Sequence, residues 1–319
     1  MRPAARLPTA ARRWGLPLVL LLVYLVAAVS LGAVAAFPIH ALLEPLADPD
    51  FDSVLRRVAA LALLLLLPAY LTFGESGTRA APTARLVDAA RRREAFGLGC
   101  TARTFRRGFL RGFALGILTV SPLIAVFLAL GVRAHAPAAP SAVDAVGYLA
   151  YALVGAVLIG VIEEAYFRGA LLAPLRPLPA RLAVSTVALV YAAVHFLGAP
   201  LPAGQPGWTS GFTSLARSDL PLDAFLGLFA AGLFLGALRL RFGHIAVGAG
   251  FHAGWVLVMK LNQEYTDVVP GSKWSFVEGE FGGTMGYLGL AWLGLLGAAW
   301  YALEYRRAPR LRRGARAGT

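Results

Sequence analysis

Three short clusters of carboxylate, imidazole and guanidinium groups stand inside apolar stretches of this sequence. They are Glu163-Glu164-Ala165-Tyr166-Phe167-Arg168, then Tyr191-Ala192-Ala193-Val194-His195, then Phe251-His252-Ala253-Gly254-Trp255. An ionisable side chain at the middle of a bilayer costs about 2.5 to 3.5 kcal/mol even on lenient insertion scales, so residues kept there mark function. On a helix Glu164 and Arg168 are four apart with the acid first, the favourable order for an ion pair on one face. Glu163 points about 100° away and cannot share that arginine equally well. The spacing predicts a division of labour: Glu164 and Arg168 as a structural pair, Glu163 as a carboxylate able to serve as a general base. Glu163, His195 and His252 together could activate a water for hydrolysis. They also match the donor set of a hydrolytic zinc site with one open position. If zinc took all three, Glu163 could not also be the free base, which tilts the reading toward a metal-free site.

The elements that must position these groups are transmembrane helices. The chain has 319 residues, 58% apolar and only 15% charged, with a mean hydropathy of +0.66. That is more apolar surface than a soluble core of this size needs, so most of it faces lipid. Apolar spans are expected at Gly15 to Phe37, Val58 to Phe73, Phe109 to Gly131, Ala145 to about Ala173, Leu182 to Leu197, Ala224 to Leu238, Ile245 to Met259 and Gly286 to Ala302. The first ends in Ala33-Val34-Ala35-Ala36 like a signal peptide, but at about 23 residues it is long enough to span and is expected to be retained. The fold class expected is an all-α bundle of about eight helices enclosing a polar cavity. It divides into N-terminal helices with a basic segment over 1–142, a core over 143–260, and an outer loop, last helix and basic tail over 261–319.

A formal charge of +13 could suggest nucleic acid, but the arginines lie in clusters between apolar runs and no reading module separates from them. Anionic lipid headgroups are the expected partner. Nine arginines fall between Gly74 and Arg111 and six after Tyr305, while the alternate loops carry Glu44, Asp48, Asp50, Asp52, Asp219, Asp267, Glu278 and Glu280. By the positive-inside rule both termini face the cytoplasm. The basic segment from Ala81 to Arg107 reads as an interfacial amphipathic helix. Cys100 is the single cysteine and excludes an internal disulfide.

Depth brings the clusters together. At about 1.5 Å per residue, Glu163 lies roughly 16 Å from a helix end near Pro174, His195 roughly 20 Å from Leu182, and His252 roughly 12 Å from His244. Those three ends share the cytoplasmic side, so the groups occupy one slab of the membrane. Gly155, Gly160 and Gly169, and the GxxxG pairs Gly232/Gly236 and Gly250/Gly254, allow close helix approach. His40, His135 and His244 read as surface residues without partners.

The EEAYFRG, YAAVH and FHAGW units, in this order and spacing, resemble the CPBP family of membrane proteins, the CAAX-protease and bacteriocin-processing group also called Abi. The resemblance runs from about Val143 to Lys260. It implies an intramembrane endopeptidase in a bacterial-type cytoplasmic membrane, with eight helices around a cavity open to the cytosolic leaflet. Glu163, His195 and His252 would be catalytic, with Glu164 and Arg168 in the same motif, and membrane-associated peptides or protein tails the substrates. Two departures stand out. Tyr191 replaces the usual Phe, and Val256 stands where the family commonly has Asn, removing a donor for the oxyanion. Asn262 lies about ten residues past His252, roughly 15 Å along a helix, and is too distant to substitute. The Tyr191 hydroxyl could supply that donor, or the ring could merely fill the volume of Phe. The other function classes are a non-catalytic member of the fold that binds a partner or lipid, and a proton-coupled transporter. No internal repeat supports the transporter.

Overall fold

The computed structural model describes residues 9–47, 51–74, 93–136, 141–196, 221–279 and 286–316. Among these, eight α-helices of 15 residues or more are set out. They are α1 (Thr9–Ala47), α2 (Phe51–Gly74), α3 (Ala102–Ala129), α4 (Ala142–Glu164), α5 (Ala180–Val194), α6 (Leu222–Phe242), α7 (Ala246–Tyr265) and α8 (Tyr287–Arg316). Five stretches are long and apolar enough to cross a membrane: Gly15–Pro45, Ser53–Phe73, Ala102–Ala129, Ala142–Leu175 and Leu222–Phe242. α5 and the apolar part of α8, Tyr287–Leu303, are shorter. The protein is an all-α polytopic membrane bundle. Large apolar side chains such as Val34, Leu65, Leu118, Val143 and Leu295 are exposed along its outer surface, as lipid requires.

α7 falls outside the five because it carries His252, Lys260, Asn262, Gln263 and Glu264. It has no need of a lipid-like surface. The run Gly248 to Trp255 is buried, enclosed by α3, α4 and α6. Its closest partner is α3. Gly112 and Gly116 of α3 face Val247 and Phe251 of α7, while Gly250 and Gly254 of α7 face Phe109 and Phe113 of α3. A Cβ at any of these four positions would overlap a backbone carbonyl of the facing helix, so the two backbones touch reciprocally along two turns. Gly108, Gly112 and Gly116 extend the small-residue spacing in α3, a signal present in the sequence but not singled out from it. On the opposite side of α7, Gly160 of α4 packs against Ala249 and Ala253.

The remaining pairs are α1 with α2, α5 with α6, and α6 with α8. Tyr24 of α1 and Tyr70 of α2 stack at 4.8 Å between ring centroids. The Tyr24 hydroxyl donates to the Leu63 carbonyl at 2.6 Å, and its oxygen lies 2.8 Å from the Tyr166 hydroxyl. This ties the hairpin of α1 and α2 to the segment after α4.

Several boundaries differ from the sequence reading. α1 continues through Pro38 and Pro45 to Ala47, so His40 is helical and half-buried against the Phe51 ring, where a surface loop residue was expected. His244 is also half-buried, its Nδ1 accepting from the Ala246 amide at 3.3 Å. His135 is exposed, in a strand. Of the expected interfacial helix, residues 81–92 lie outside the described residues, and Ala102 to Arg107 form the first turns of α3, capped by the Thr101 hydroxyl. Arg133–His135 (β1) and Thr266–Val268 (β2) add a two-stranded antiparallel ribbon, with Arg133 paired to Val268. This small departure from an all-helical chain closes the ends of α3 and α7. Arg133 forms a buried ion pair with Glu278 and donates to the Thr266 hydroxyl at 2.6 Å.

Candidate active site

α4 ends at Glu164 and the chain continues as one widened π-helical stretch, Ala165–Leu171. Such insertions turn the following side chains out of α-helical phase, and they gather at functional sites. Tyr166 faces α1 and α2 through Tyr24, whereas Phe167 stands edge-on to Tyr191 of α5 at 5.0 Å. Arg168 turns inward and is among the largest fully buried side chains.

Arg168 donates to Glu164 Oε1 at 2.8 Å, both side chains 1% exposed. A further guanidinium nitrogen approaches the Gly232 carbonyl at 3.4 Å, and the guanidinium carbon sits 4.4 Å above the centre of the Tyr191 ring. Arg239 of α6 donates back to the Arg168 carbonyl at 3.1 Å. The Glu164 carboxylate rests on Gly248 of α7, where a side chain would crowd it.

The division of labour between the two glutamates is less complete than the spacing predicts. Glu164 Oε1 also lies 3.3 Å from His252 Nδ1. A carboxylate only accepts, so Nδ1 carries the imidazole proton in this contact and Nε2 is left as the acceptor nitrogen. That Nε2 is 3.9 Å from Glu163 Oε2. The separation is too long for a direct hydrogen bond, yet one water set to the side at about 2.8 Å from each atom would touch both. Glu163 is half-buried, its side chain 29% exposed, but Oε2 itself is buried and has no hydrogen-bond partner among the described residues.

His195 caps the C-terminus of α5, where its Nδ1 lies 2.6 Å from the Tyr191 carbonyl. The carbonyl can only accept, so Nδ1 is again the protonated nitrogen and Nε2 the acceptor. Tyr191 packs edge-on to His195 at 4.5 Å and to His252 at 6.3 Å. Glu163, Tyr191, His195 and His252 line one cavity of about 130 Å³, whose apolar wall includes Leu228, Phe234, Trp255 and Val256. Glu163 and His195 also line a second hollow of about 370 Å³ toward α2, with Ala59, Leu63 and Tyr166. The structure thus brings Glu163, His195, His252 and Tyr191 together, with Glu164 and Arg168 directly behind. Asn262 is elsewhere, buried at the far end of α7 against Thr266.

A zinc ion would find suitable donor types in Glu163 and the two acceptor nitrogens. Their placement does not match: among the described residues no three His, Cys, Asp or Glu side chains are grouped closely enough to hold a metal ion.

Comparison with known proteins adds one match. Neither a search of curated proteins nor one of solved structures returned a match. The segment that carries all three motifs, residues 145–258, matches the model of the family described as type II CAAX prenyl endopeptidase Rce1-like, in agreement with the CPBP resemblance.

Proposed function

We propose that this protein is an intramembrane endopeptidase that hydrolyses peptide bonds of membrane-associated peptides or protein tails with a water activated on Glu163. The observation that carries the reading is the buried Oε2 of Glu163, without a hydrogen-bond partner among the described residues, 3.9 Å from His252 Nε2 in a largely apolar cavity. There the water gives one hydrogen to Glu163 and can offer the other to an imidazole Nε2. Its oxygen attacks the peptide carbonyl carbon while Glu163 takes the proton. A new C–O bond forms, the carbonyl electron pair moves to oxygen, and on collapse the C–N bond breaks as Glu163 returns the proton to the leaving amine. His252, fixed through Nδ1 by Glu164, and His195, fixed through Nδ1 by the Tyr191 carbonyl, are the groups that orient the water. Arg168 acts through Glu164 as a positioning residue.

The test is hydrolysis of a quenched fluorescent lipopeptide by the purified protein in proteoliposomes. Turnover is expected to survive prolonged chelator treatment, because the step needs no metal; loss on chelation with recovery on zinc would overturn the metal-free site. Val256 on the cavity wall favours a second reading, a non-catalytic member of the fold that binds a membrane peptide. That reading expects peptide binding without turnover in the same vesicles.

The arginine distribution supports an orientation with both termini in the cytoplasm and the ribbon of β1 and β2 on the opposite side. Cysteine-accessibility labelling should reach residues placed at 130–136 and 266–272 only from outside the cytoplasmic compartment. Labelling of those positions from the cytoplasm would reverse the orientation.

A further inference from the structure

The water-activated step leaves one charge unattended. When the carbonyl electron pair moves to oxygen, that oxygen needs a donor, and losing one such donor typically lowers turnover about 100- to 1000-fold. Neither histidine supplies it in the neutral form, because each carries its proton on Nδ1, toward Glu164 or toward the Tyr191 carbonyl, and presents Nε2 as an acceptor. Val256 offers only methyl groups.

We propose that the indole N–H of Trp255 is the donor to the substrate carbonyl oxygen in this site, and that it compensates for the apolar side chain at 256. This rests on the peptidase reading above. Trp255 lines the same cavity as Glu163, and only 5% of it is exposed. Its Nε1 is buried, and among the described residues nothing accepts from it. Buried tryptophans usually find an acceptor, and a buried donor without one is costly. The complementary defect is Oε2 of Glu163, a residue lining the same cavity: a buried acceptor without a donor among the described residues. A peptide carbonyl and an attacking water correct both at once, the carbonyl accepting from Trp255 and the water donating to Glu163. The indole keeps its proton throughout and only strengthens its hydrogen bond as charge builds on the carbonyl oxygen.

Trp255 follows His252 by three residues, which puts both on one face of α7. The backbone between them is fixed at Gly254 by contact with Phe113 of α3. The donor is thus held on a helix whose backbone is in direct contact with α3, the fixed placement that transition-state stabilisation requires.

The rival donor is the Tyr191 hydroxyl, which lines the same cavity. Three variants in proteoliposomes separate them. Trp255→Phe keeps most of the packing and should lower kcat about 100- to 1000-fold while KM changes less than about threefold. Tyr191→Phe should lower kcat less than about tenfold, on the same donor scale. Adding Val256→Asn should restore at least about tenfold in Trp255→Phe but raise the parent less than about threefold, a difference that a purely structural tryptophan would not give. A Trp255→Phe enzyme within tenfold of the parent, or the full loss in Tyr191→Phe, overturns the assignment. If Glu163→Gln is then still inactive, the peptidase reading survives without it.

A second measurement does not depend on turnover. Among the six tryptophans, the ¹⁵N-indole resonance that disappears in Trp255→Phe should move downfield when a lipopeptide aldehyde binds. It should stay in place with the matching hydrocarbon. An unmoved resonance with bound aldehyde overturns the proposal even if the protein hydrolyses nothing.

Discussion

Glu163→Gln is expected to abolish peptide hydrolysis in proteoliposomes, lowering kcat by about 100- to 10,000-fold, the range that general acid–base groups contribute. The amide has nearly the carboxylate's shape but cannot take the water's proton. The melting temperature should stay within a degree or two of the parent, because Glu163 Oε2 has no hydrogen-bond partner to lose among the described residues and His252 Nε2 is 3.9 Å away. Lipopeptide binding should persist, so the loss appears in kcat with KM little changed, the pattern of an interaction made in the transition state alone. A Glu163→Gln protein that hydrolyses the lipopeptide at a rate near the parent's would remove Glu163 as the base. It would take the proposed mechanism with it.

The largest effect on stability is expected from Arg168→Met. The side chain is buried, pairs with Glu164 at 2.8 Å and lies over the Tyr191 ring. Removing one partner of a buried pair leaves the other charge uncompensated, which typically costs about 3 to 5 kcal/mol. Replacing both partners, as in Glu164→Gln with Arg168→Met, should recover much of that loss, since well-packed neutral residues are often no worse than the pair itself. Activity should not recover with it, because His252 Nδ1 loses the carboxylate that fixes its proton. Reversible unfolding in mixed micelles, read as a double-mutant cycle, supplies the energies. A single Arg168→Met that unfolds within about 1 kcal/mol of the parent would show that the pair does not carry the structural role assigned to it, given the usual size of that penalty.

Much of this arrangement can be read from residue types and spacing. The four-residue separation of Glu164 and Arg168 specifies a pair on one helical face, and the pair forms. The helix count and most boundaries follow from apolar run length, since one solvent, lipid, sets the length of most spans. α7 is the exception: its polar residues weaken the hydropathy signal because protein surrounds it on several sides. Three features are not legible in the same way. The π-helical stretch after Glu164 has no signature in local composition, since its residues would suit an ordinary helix. The double use of Glu164 Oε1 by Arg168 and His252 depends on how α4 and α7 approach, a tertiary distance. That no described residue accepts from Trp255 Nε1 is a matter of what does not reach it. The Gly108, Gly112 and Gly116 series was legible, and it pairs with the Gly250 and Gly254 series as small-residue spacing would suggest.

Reciprocal backbone contact between α3 and α7 sets how the site can move. Helices separated by long side chains can slide or roll because rotamers change to follow. Where four glycines put carbonyl against α-carbon, no rotamer remains to adjust, and rotation of either helix would drive one backbone into the other. α3 and α7 therefore behave as a single double-thickness post, with His252 and Trp255 fixed to its inner side. The opposing wall has a different character: α2 meets Glu163 and His195 across an open hollow. On the proposed function, a substrate that has to displace protein to reach Glu163 is expected to do so at that wall and not at the post, leaving the geometry of His252 and Trp255 unchanged as it enters.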